Sequence, residues 1–460
     1  MILKSVAEQA LAAALRTGGD FAELFCEDRR SGAMGLVDGH VESASTVRRH
    51  GAGIRVYRGL NSVYVHTNDT SLSGLMAIAC KAADAVSGDA AIGDIHLIQS
   101  VTGNLHPVRQ MPMDVAGARK AKLLREMDLA ARSESPEIHQ VRANLIYWDS
   151  DVLIANSEGL YTGDRRVYTR MACSAVAEGG GESQSGSASP GAMMGFELFE
   201  GRVDVAEQAK KAARQAVTML HAEPCPAGVM PVVIDGGFGG VIFHEACGHS
   251  LEAQAVAFDN SEFAGKLGQR IASPIVTAVD DGTIPGEWGS LNIDDEGTPT
   301  TRLTLIKDGV LINYMVDRLN GRRMNMPMTG SSRRQDYTFA PTSRMRNTYI
   351  AAGSDDEGEI IATCGDGLYA KSMGGGSVNP VTGEFNFAVA EGYLIKDGKV
   401  DRPVRGATLI GKGAQVLQRI DRVGSNMWMA QGMCGASSGS IPTNVGQPMI
   451  RVTEMTVGGR

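Results

Sequence analysis

Two of the nine histidines in the chain, His244 and His249, stand five residues apart in Phe243-His244-Glu245-Ala246-Cys247-Gly248-His249-Ser250. A carboxylate, Glu245, adjoins the first. Neutral imidazoles are good ligands for a divalent metal, and a neighbouring carboxylate can act as a proton acceptor. The familiar spacing for that chemistry is His-Glu-x-x-His, which sets both histidines on one helix face at i and i+4. Here the spacing is i and i+5. On a regular α-helix it separates the side chains by roughly 140°, at about 100° per residue. The two can grip one metal only if the helix is locally unwound. A one-residue π-bulge would realign them, and such bulges favour functional sites. Gly248 is where extra backbone freedom is expected.

A catalytic zinc takes three protein ligands and keeps one position open for water. His244 and His249 supply two. Glu245 points elsewhere on the helix and suits the base that takes a proton from the attacking water. The third ligand must come from another residue. Glu252 and Asp259 are downstream candidates. Cys434, in Met433-Cys434-Gly435-Ala436, is another, flanked by a glycine that lets its sulfur approach a metal. Cys247, between the histidines, cannot easily converge with both. Spacing alone does not choose among them.

The elements that must position these groups read as strand, tight turn and helix. Val232-Val233-Ile234 is the apolar strand, Gly236-Gly237-Phe238-Gly239-Gly240 the turn, and Val241 to about Phe258 the helix. A dinucleotide-binding turn fails on spacing, because the third glycine would fall at Ile242. The surrounding stretch, 228–460, is otherwise strand-rich. Lys307-Asp308-Gly309 and Lys396-Asp397-Gly398 mark two hairpins, Thr301 to Ile306 with Val310 to Met315, and Phe385 to Ile395 with Lys399 to Val404. Short strands are predicted near Arg346–Ile350, Gly367–Ala370 and Gln447–Val457, and a helix near Ala414 to Asp421. Many short strands with glycine-rich turns predict a curved or barrel-like sheet.

Upstream, residues 1–87 read as a helix to about Arg16, strands at Phe21–Arg29, Gly35–Ser43, Gly53–Tyr57 and Ser62–His66, then a helix to Val86 capped at Thr70-Ser71. Residues 88–113 read as a linker. Residues 114–222 repeat the order. A helix of Val115–Ala131 capped by Asp114 is followed by strands at Ile138–Trp148, Val152–Ala155, Gly163–Ala177 and Ser183–Gly195. A second helix runs from Val203 to about Leu220. Helix, meander, helix thus occurs twice, an internal duplication of architecture rather than of residues. The fold class is α+β: N-terminal helix and strand-meander domains, then a β-rich, barrel-like C-terminal domain carrying the metal-binding helix.

The net charge of −8 disfavours a nucleic-acid surface. No apolar run is long enough to span a membrane. The opening residues lack the basic-then-apolar pattern of a signal peptide. Seven scattered cysteines without Cys-x-x-Cys are therefore expected as reduced thiols in the cytoplasm. Cys247 is expected to pack rather than react.

Several longer segments carry a resemblance. They are His244-Glu245-Ala246-Cys247-Gly248-His249, Asp295-Glu296-Gly297-Thr298-Pro299, Asn347-Thr348-Tyr349, Gly374-Gly375-Gly376, Pro403 to Gly411, Gly446-Gln447-Pro448 and Thr456-Val457-Gly458-Gly459. Together they resemble the TldD/PmbA family, and specifically its TldD branch, which carries His-Glu-x-x-x-His. The resemblance implies a zinc metallopeptidase that trims unfolded peptides, one Zn2+ per catalytic chain. It implies a complex with a PmbA-type (TldE) partner, with a homodimer as the alternative. It further implies that the metal is held by His244, His249 and Cys434, with Glu245 as the catalytic acid/base. The segment Gly435 to Pro442 departs from the family pattern, and Gly446-Gln447-Pro448 restores the alignment.

Sequence-tolerant cleavage would follow if substrate is held through its backbone as an added strand, and Gly374, Gly375 and Gly376 could present backbone for this. A plain turn between strands is the competing reading of those glycines. Two rival functions stand beside the peptidase. One is a non-enzymatic regulator, since the family was associated with modulation of DNA gyrase. The other is a zinc amidohydrolase acting on a small molecule. The intact His244, Glu245 and His249 set argues against the first.

Overall fold

The computed structural model describes residues 2–86, 88, 95–379 and 381–459. Residues 87 and 89–94, at the end of the expected first domain and within the expected linker, lie outside the described residues.

The N-terminal part contains α1 (Lys4–Leu15), β1 (Phe21–Val37), β2 (His40–Arg58), β3 (Asn61–Thr67) and α2 (Leu72–Asp84). The second stretch contains α3 (Gly117–Arg132), β4 (Ile138–Asn156), β5 (Leu160–Gly179), β6 (Glu182–Ala188) and α4 (Val205–Leu220). Their strands form one sheet. β1 pairs with β4, and the order outward is β2 then β3 on one side, β5 then β6 on the other. That palindromic order is what a twofold-related pair of helix–meander–helix units produces when their first strands meet.

Strand alternation assigns the two faces. Ala22, Leu24 and Cys26 pack with α1 and α2, and Val141, Ala143 and Leu145 pack with α3 and α4. The opposite face, with Phe25, Val152, Ile154 and Trp148, meets Ile293, Tyr337 and Trp288 of the C-terminal part.

Fewer and longer strands form than the sequence predicts. The expected strand Gly35–Ser43 straddles a turn at Asp38-Gly39, whose φ values of 49° and 80° suit a two-residue hairpin. Residues 40–49 of β2 are exposed on both faces, so they carry no apolar alternation to read. The expected strands at Ile138–Trp148 and Val152–Ala155 are one strand, β4. Asp114 closes a 3-10 turn, Pro112–Asp114, and α3 begins at Gly117 with Ala116 as an uncapped N-terminus. Ser71 and Asp204 do cap α2 and α4, accepting from Gly74 N and Glu207 N.

Two large sheets build the C-terminal part, beside a short two-stranded one in which Ser332–Arg333 pairs with Thr342–Ser343. In the first, β7 (Gly228–Ile234) pairs with β11 (Gly367–Val378) and β16 (Ile450–Gly458). β13 (Thr408–Lys412) bonds β16 and β12 (Glu384–Lys396), and β12 returns to β11. These five strands close a ring, the barrel the glycine-rich turns predict. Its core holds Ile234, Leu368, Phe385, Phe387, Leu409 and Val452. The second sheet runs β9 (Arg302–Lys307), β8 (Ala278–Asp281), β10 (Asn347–Ile350), β15 (Gly439–Gln447), β14 (Trp428–Ala436). Both Asp-Gly turns form as read, with Asp308 and Asp397 at positive φ. The strand after the first, however, ends at Leu311 rather than Met315. The helix predicted near Ala414–Asp421 is Gly413–Gln418.

Candidate metal centre

The helix expected from Val241 to Phe258 is broken into pieces, and the breaks build the site. One α-turn, Val241–Phe243, gives way to a π-helical turn, His244–Gly248, in which His249 N–H bonds His244 O. This i to i+5 bond widens the turn by one residue. His244 and His249 therefore share a face, with ring centroids 5.1 Å apart and planes at 85°. A 3-10 turn, His249–Leu251, follows, and Glu252 is extended (φ −78°, ψ 129°). The chain leaves the helix there because Leu251 and Ala253 bond the backbone of Met315.

Gly248 has ordinary helical angles, φ −56° and ψ −50°, so backbone freedom does not explain it. Space does: a Cβ there would sit 2.3 Å from Met345 Sδ. The upstream turn is a close-packed joint as well. A Cβ on Gly240 would lie 2.6 Å from Gly446 O and 2.7 Å from Gly446 N. Only glycines let the helix start lie against β15, and β15 pairs with β14, which carries Cys434 opposite Ile441.

Cys434 Sγ lies 3.3 Å from His244 Nε2 and 3.3 Å from His249 Nε2. The three donor atoms lie within 4.8 Å of one another. Glu245 reaches the open side of this group, one-third exposed, with an oxygen 3.7 Å from His249 Nε2. His244 is 3% exposed, and its Nδ1 has no hydrogen-bond partner.

Burial raises a thiol's pKa, but the facing His244 and His249 rings, by charge and hydrogen bond, bring Cys434 down to about 4. A thiolate is the metal-binding form of cysteine. His249 is shifted the other way. Burial lowers it, but Glu252 and Cys434 together hold its pKa well above the usual imidazole range. Two imidazole nitrogens and one thiolate are a zinc donor set. Their 3.3 Å N···S separations match the roughly 3.5 Å that usual Zn–N and Zn–S bond lengths give across a tetrahedron. The residues fit the ion.

Of the other residues considered, Glu252 is buried behind His249, its Oε2 3.0 Å from Nδ1. Asp259 is an exposed turn residue at φ 55°. Cys247 is buried in the barrel core, its thiol pushed up by burial and by Glu262. Gly374, Gly375 and Gly376 lie in β11, where the ladder skips from Met373 to Gly376. Gly374 and Gly375 thus have no registered partner, while a Cβ on Gly376 would lie 2.2 Å from Asn386 O.

Sequence reasoning missed β14 as an element. Trp-Met-Ala-Gln-Gly-Met-Cys-Gly-Ala has two glycines and no β-branched residue. Its neighbours hold it: Trp288 Nε1 donates to Gly432 O, Arg170 to Gln431 O, and Arg344 to Cys434 O. Arg344, fully buried, has no signal in the sequence at all.

With this geometry in hand, comparison with known proteins gives a consistent result. Three successive regions match the domains of one family. They are PmbA/TldA metallopeptidase domain 1 over residues 22–86, its central domain over 112–220 and its C-terminal domain over 227–459. The chain is 37% identical over 452 residues to the Metalloprotease TldD homolog of Haemophilus influenzae, covering 96% of this chain and 93% of that one.

The chain belongs to the TldD/PmbA family.

Its curated relatives are named metalloproteases. One TldD/PmbA relative, from Saccharolobus solfataricus, is named a zinc metalloprotease TldD homolog and is 28% identical over 265 residues, 57% of this chain and 58% of that one. The family fold extends to the solved structure of TldE from Thermococcus kodakarensis, which covers 99% of this chain and 100% of that one with a TM-score of 0.76 at 18% identity. The Asp295-Glu296-Gly297-Thr298-Pro299 segment lies between the two halves of the molecule. Asp295 Oδ1 accepts from Arg166 at 2.5 Å and Glu296 Oε1 from Arg55 at 3.1 Å.

Proposed function

We propose that this TldD/PmbA chain is a zinc-dependent peptidase that cleaves unfolded or flexible peptides. The observation that carries the reading is the convergence of His244 Nε2, His249 Nε2 and Cys434 Sγ, with Glu245 at the open side. A zinc ion held by these three residues would supply Lewis acidity to a water and to the scissile carbonyl. Glu245 takes the water's proton and hands it to the leaving amine. His244, 3% exposed, is shielded from solvent. Substrate is held through its backbone as an added strand, with the unregistered Gly374 and Gly375, and Gly376 beside them, as the proposed contact.

The same reading assigns three domains, 1–87, 114–222 and 228–460, joined by a linker over 88–113. It assigns a PmbA/TldE-type partner subunit, with a homodimer as the alternative. TldE of Thermococcus shares the fold. It also places the chain in the cytoplasm, where seven free cysteines stay reduced. Among the described residues, no helix is long and apolar enough to cross a membrane.

The test is a panel of unfolded peptides offered to the purified chain, with and without a PmbA-type subunit. Peptide cleavage that zinc chelation stops is the expected result. Hydrolysis of small amides but no peptide would move the reading to an amidohydrolase. No hydrolysis of either would favour a binding regulator.

A further inference from the structure

We infer that Glu252 and Arg344 are a positioning pair that fixes the donor atoms of both halves of the zinc cluster, an inference that rests on the zinc reading above. His249 can bind a metal through Nε2 only if its proton sits on Nδ1. Glu252 Oε2 lies 3.0 Å from that Nδ1 and, as a carboxylate, can only accept. It therefore holds the tautomer whose Nε2 lone pair faces Cys434. Three further groups fix the carboxylate. Gln254 Nε2 donates to Oε2 at 3.0 Å, Met345 N donates to Oε1 at 3.2 Å, and Arg344 Nε stands 3.7 Å from Oε1. Glu252 is 1% exposed and Arg344 fully buried, so water competes with neither.

Arg344 also reaches the other half of the site. Its Nη2 donates to Cys434 O at 2.6 Å, and its Nη1 to Ser438 Oγ at 2.9 Å and Gly439 O at 3.0 Å. The hairpin joining β14 to β15 is thus tied to the carboxylate behind His249 through one guanidinium. The thiol and the imidazole come from segments 185 residues apart in sequence. A rigid planar group with five donors can hold both in one geometry, which a lysine cannot.

The conservative substitution Glu252→Gln separates positioning from packing. Met345 N is a fixed donor at Oε1 and the positive Arg344 guanidinium stands 3.7 Å from the same oxygen, so the introduced amide keeps its oxygen there. Its NH2 then faces His249 Nδ1, which must accept, and the ring proton moves to Nε2, the ligand atom. Outer-shell carboxylates of this kind are worth about 10–100-fold in metal affinity.

Zinc affinity is measured by chelator competition on the full-length wild type, E252Q, E252D, E245Q and C434A. The d–d and thiolate charge-transfer bands of the cobalt-substituted proteins are recorded alongside, with thermal unfolding of the metal-free forms. The expected result is wild-type affinity in E245Q, loss of about 10–100-fold in E252Q with altered cobalt bands, and a smaller loss in E252D. Metal-free E252Q should unfold below wild type, because the Arg344 guanidinium is left buried without its carboxylate, so affinity and cobalt bands are read at a temperature where both are folded. Should E252Q not fold, E252D carries the comparison. E252Q or E252D binding zinc as tightly as wild type while C434A does not would overturn the positioning role alone. Undiminished zinc binding in C434A would overturn the zinc reading itself.

Discussion

In the proposed mechanism Glu245 carries the proton and Cys434 holds the metal, and each can be removed without the other. Glu245→Ala takes away the proton carrier and leaves all three proposed ligands. Peptide turnover should fall by roughly 10²–10⁴ while zinc content stays at wild-type level. Steady-state kinetics beside metal analysis of the same preparation checks both halves. Retained cleavage by the zinc-loaded variant would remove Glu245 from its role. His244, Glu245 and His249 were legible in the sequence because their order and spacing are local. Cys434 was legible only as one candidate beside Glu252 and Asp259, since spacing does not say which remote group approaches the helix; the family resemblance singled it out. Glu252 was visible as a carboxylate near the motif, but its place behind His249 depends on the break in the helix after Leu251.

The elements that carry these residues are joined backbone to backbone, and glycines permit it. At Gly240 an added Cβ would meet the peptide of Gly446, which cannot yield without moving β15. At Gly248 it would meet the thioether of Met345, a flexible side chain that is nonetheless fully buried. Overpacking of this kind typically costs about 1–3 kcal/mol, and the backbone collision should exceed the side-chain one. G240A is therefore expected to lower the thermal midpoint more than G248A. The reverse order would contradict the account of the joint. The π-turn itself was legible, because an i, i+5 pair can share a face only when one residue is added to the turn. The length of the helix was not. Its end is imposed by Met315, more than sixty residues downstream in the chain, and no local propensity records that. The two Asp-Gly hairpins of the C-terminal half were readable for the opposite reason, since the turn residues alone dictate them. The Asp38-Gly39 turn carries the same signal, but the exposed residues 40–49 after it lack the apolar alternation that marks a second strand.

At the scale of the molecule, the N-terminal sheet meets the C-terminal part through buried ion pairs as well as apolar packing. Arg334 donates to Glu23 at 2.6 Å with both side chains at most 1% exposed. Removing one member of such a pair leaves a buried charge alone and typically costs about 3–5 kcal/mol. R334M should lower stability by that amount in chemical denaturation, and a change near zero would exclude this contact as part of the joint. Glu296 gives the same interface a pH dependence. Burial first, then the neighbouring Glu23 and Asp317 carboxylates, raise its pKa to about 8, against Arg55. A carboxyl raised on folding contributes its full stability below its unfolded value and loses it as pH rises through the folded value. Stability should therefore decline from about pH 4.5 to about pH 8, and E296Q should flatten that decline. An unchanged slope in E296Q would assign the dependence elsewhere. The duplicated helix–meander–helix order was legible from periodicity. That the two copies share one sheet was not, because strand pairing between repeats leaves no mark on either sequence.

The account rests on one ion shared by two imidazoles and a thiolate drawn from opposite ends of the C-terminal half. Zinc K-edge X-ray absorption on the native, metal-replete protein addresses that directly. One sulfur near 2.3 Å and two nitrogens near 2.0–2.1 Å are expected around a single zinc, roughly the distances usual for such ligands, with the sulfur shell lost in C434A. A zinc shell of nitrogen and oxygen alone in the wild type, or no bound zinc, would contradict it.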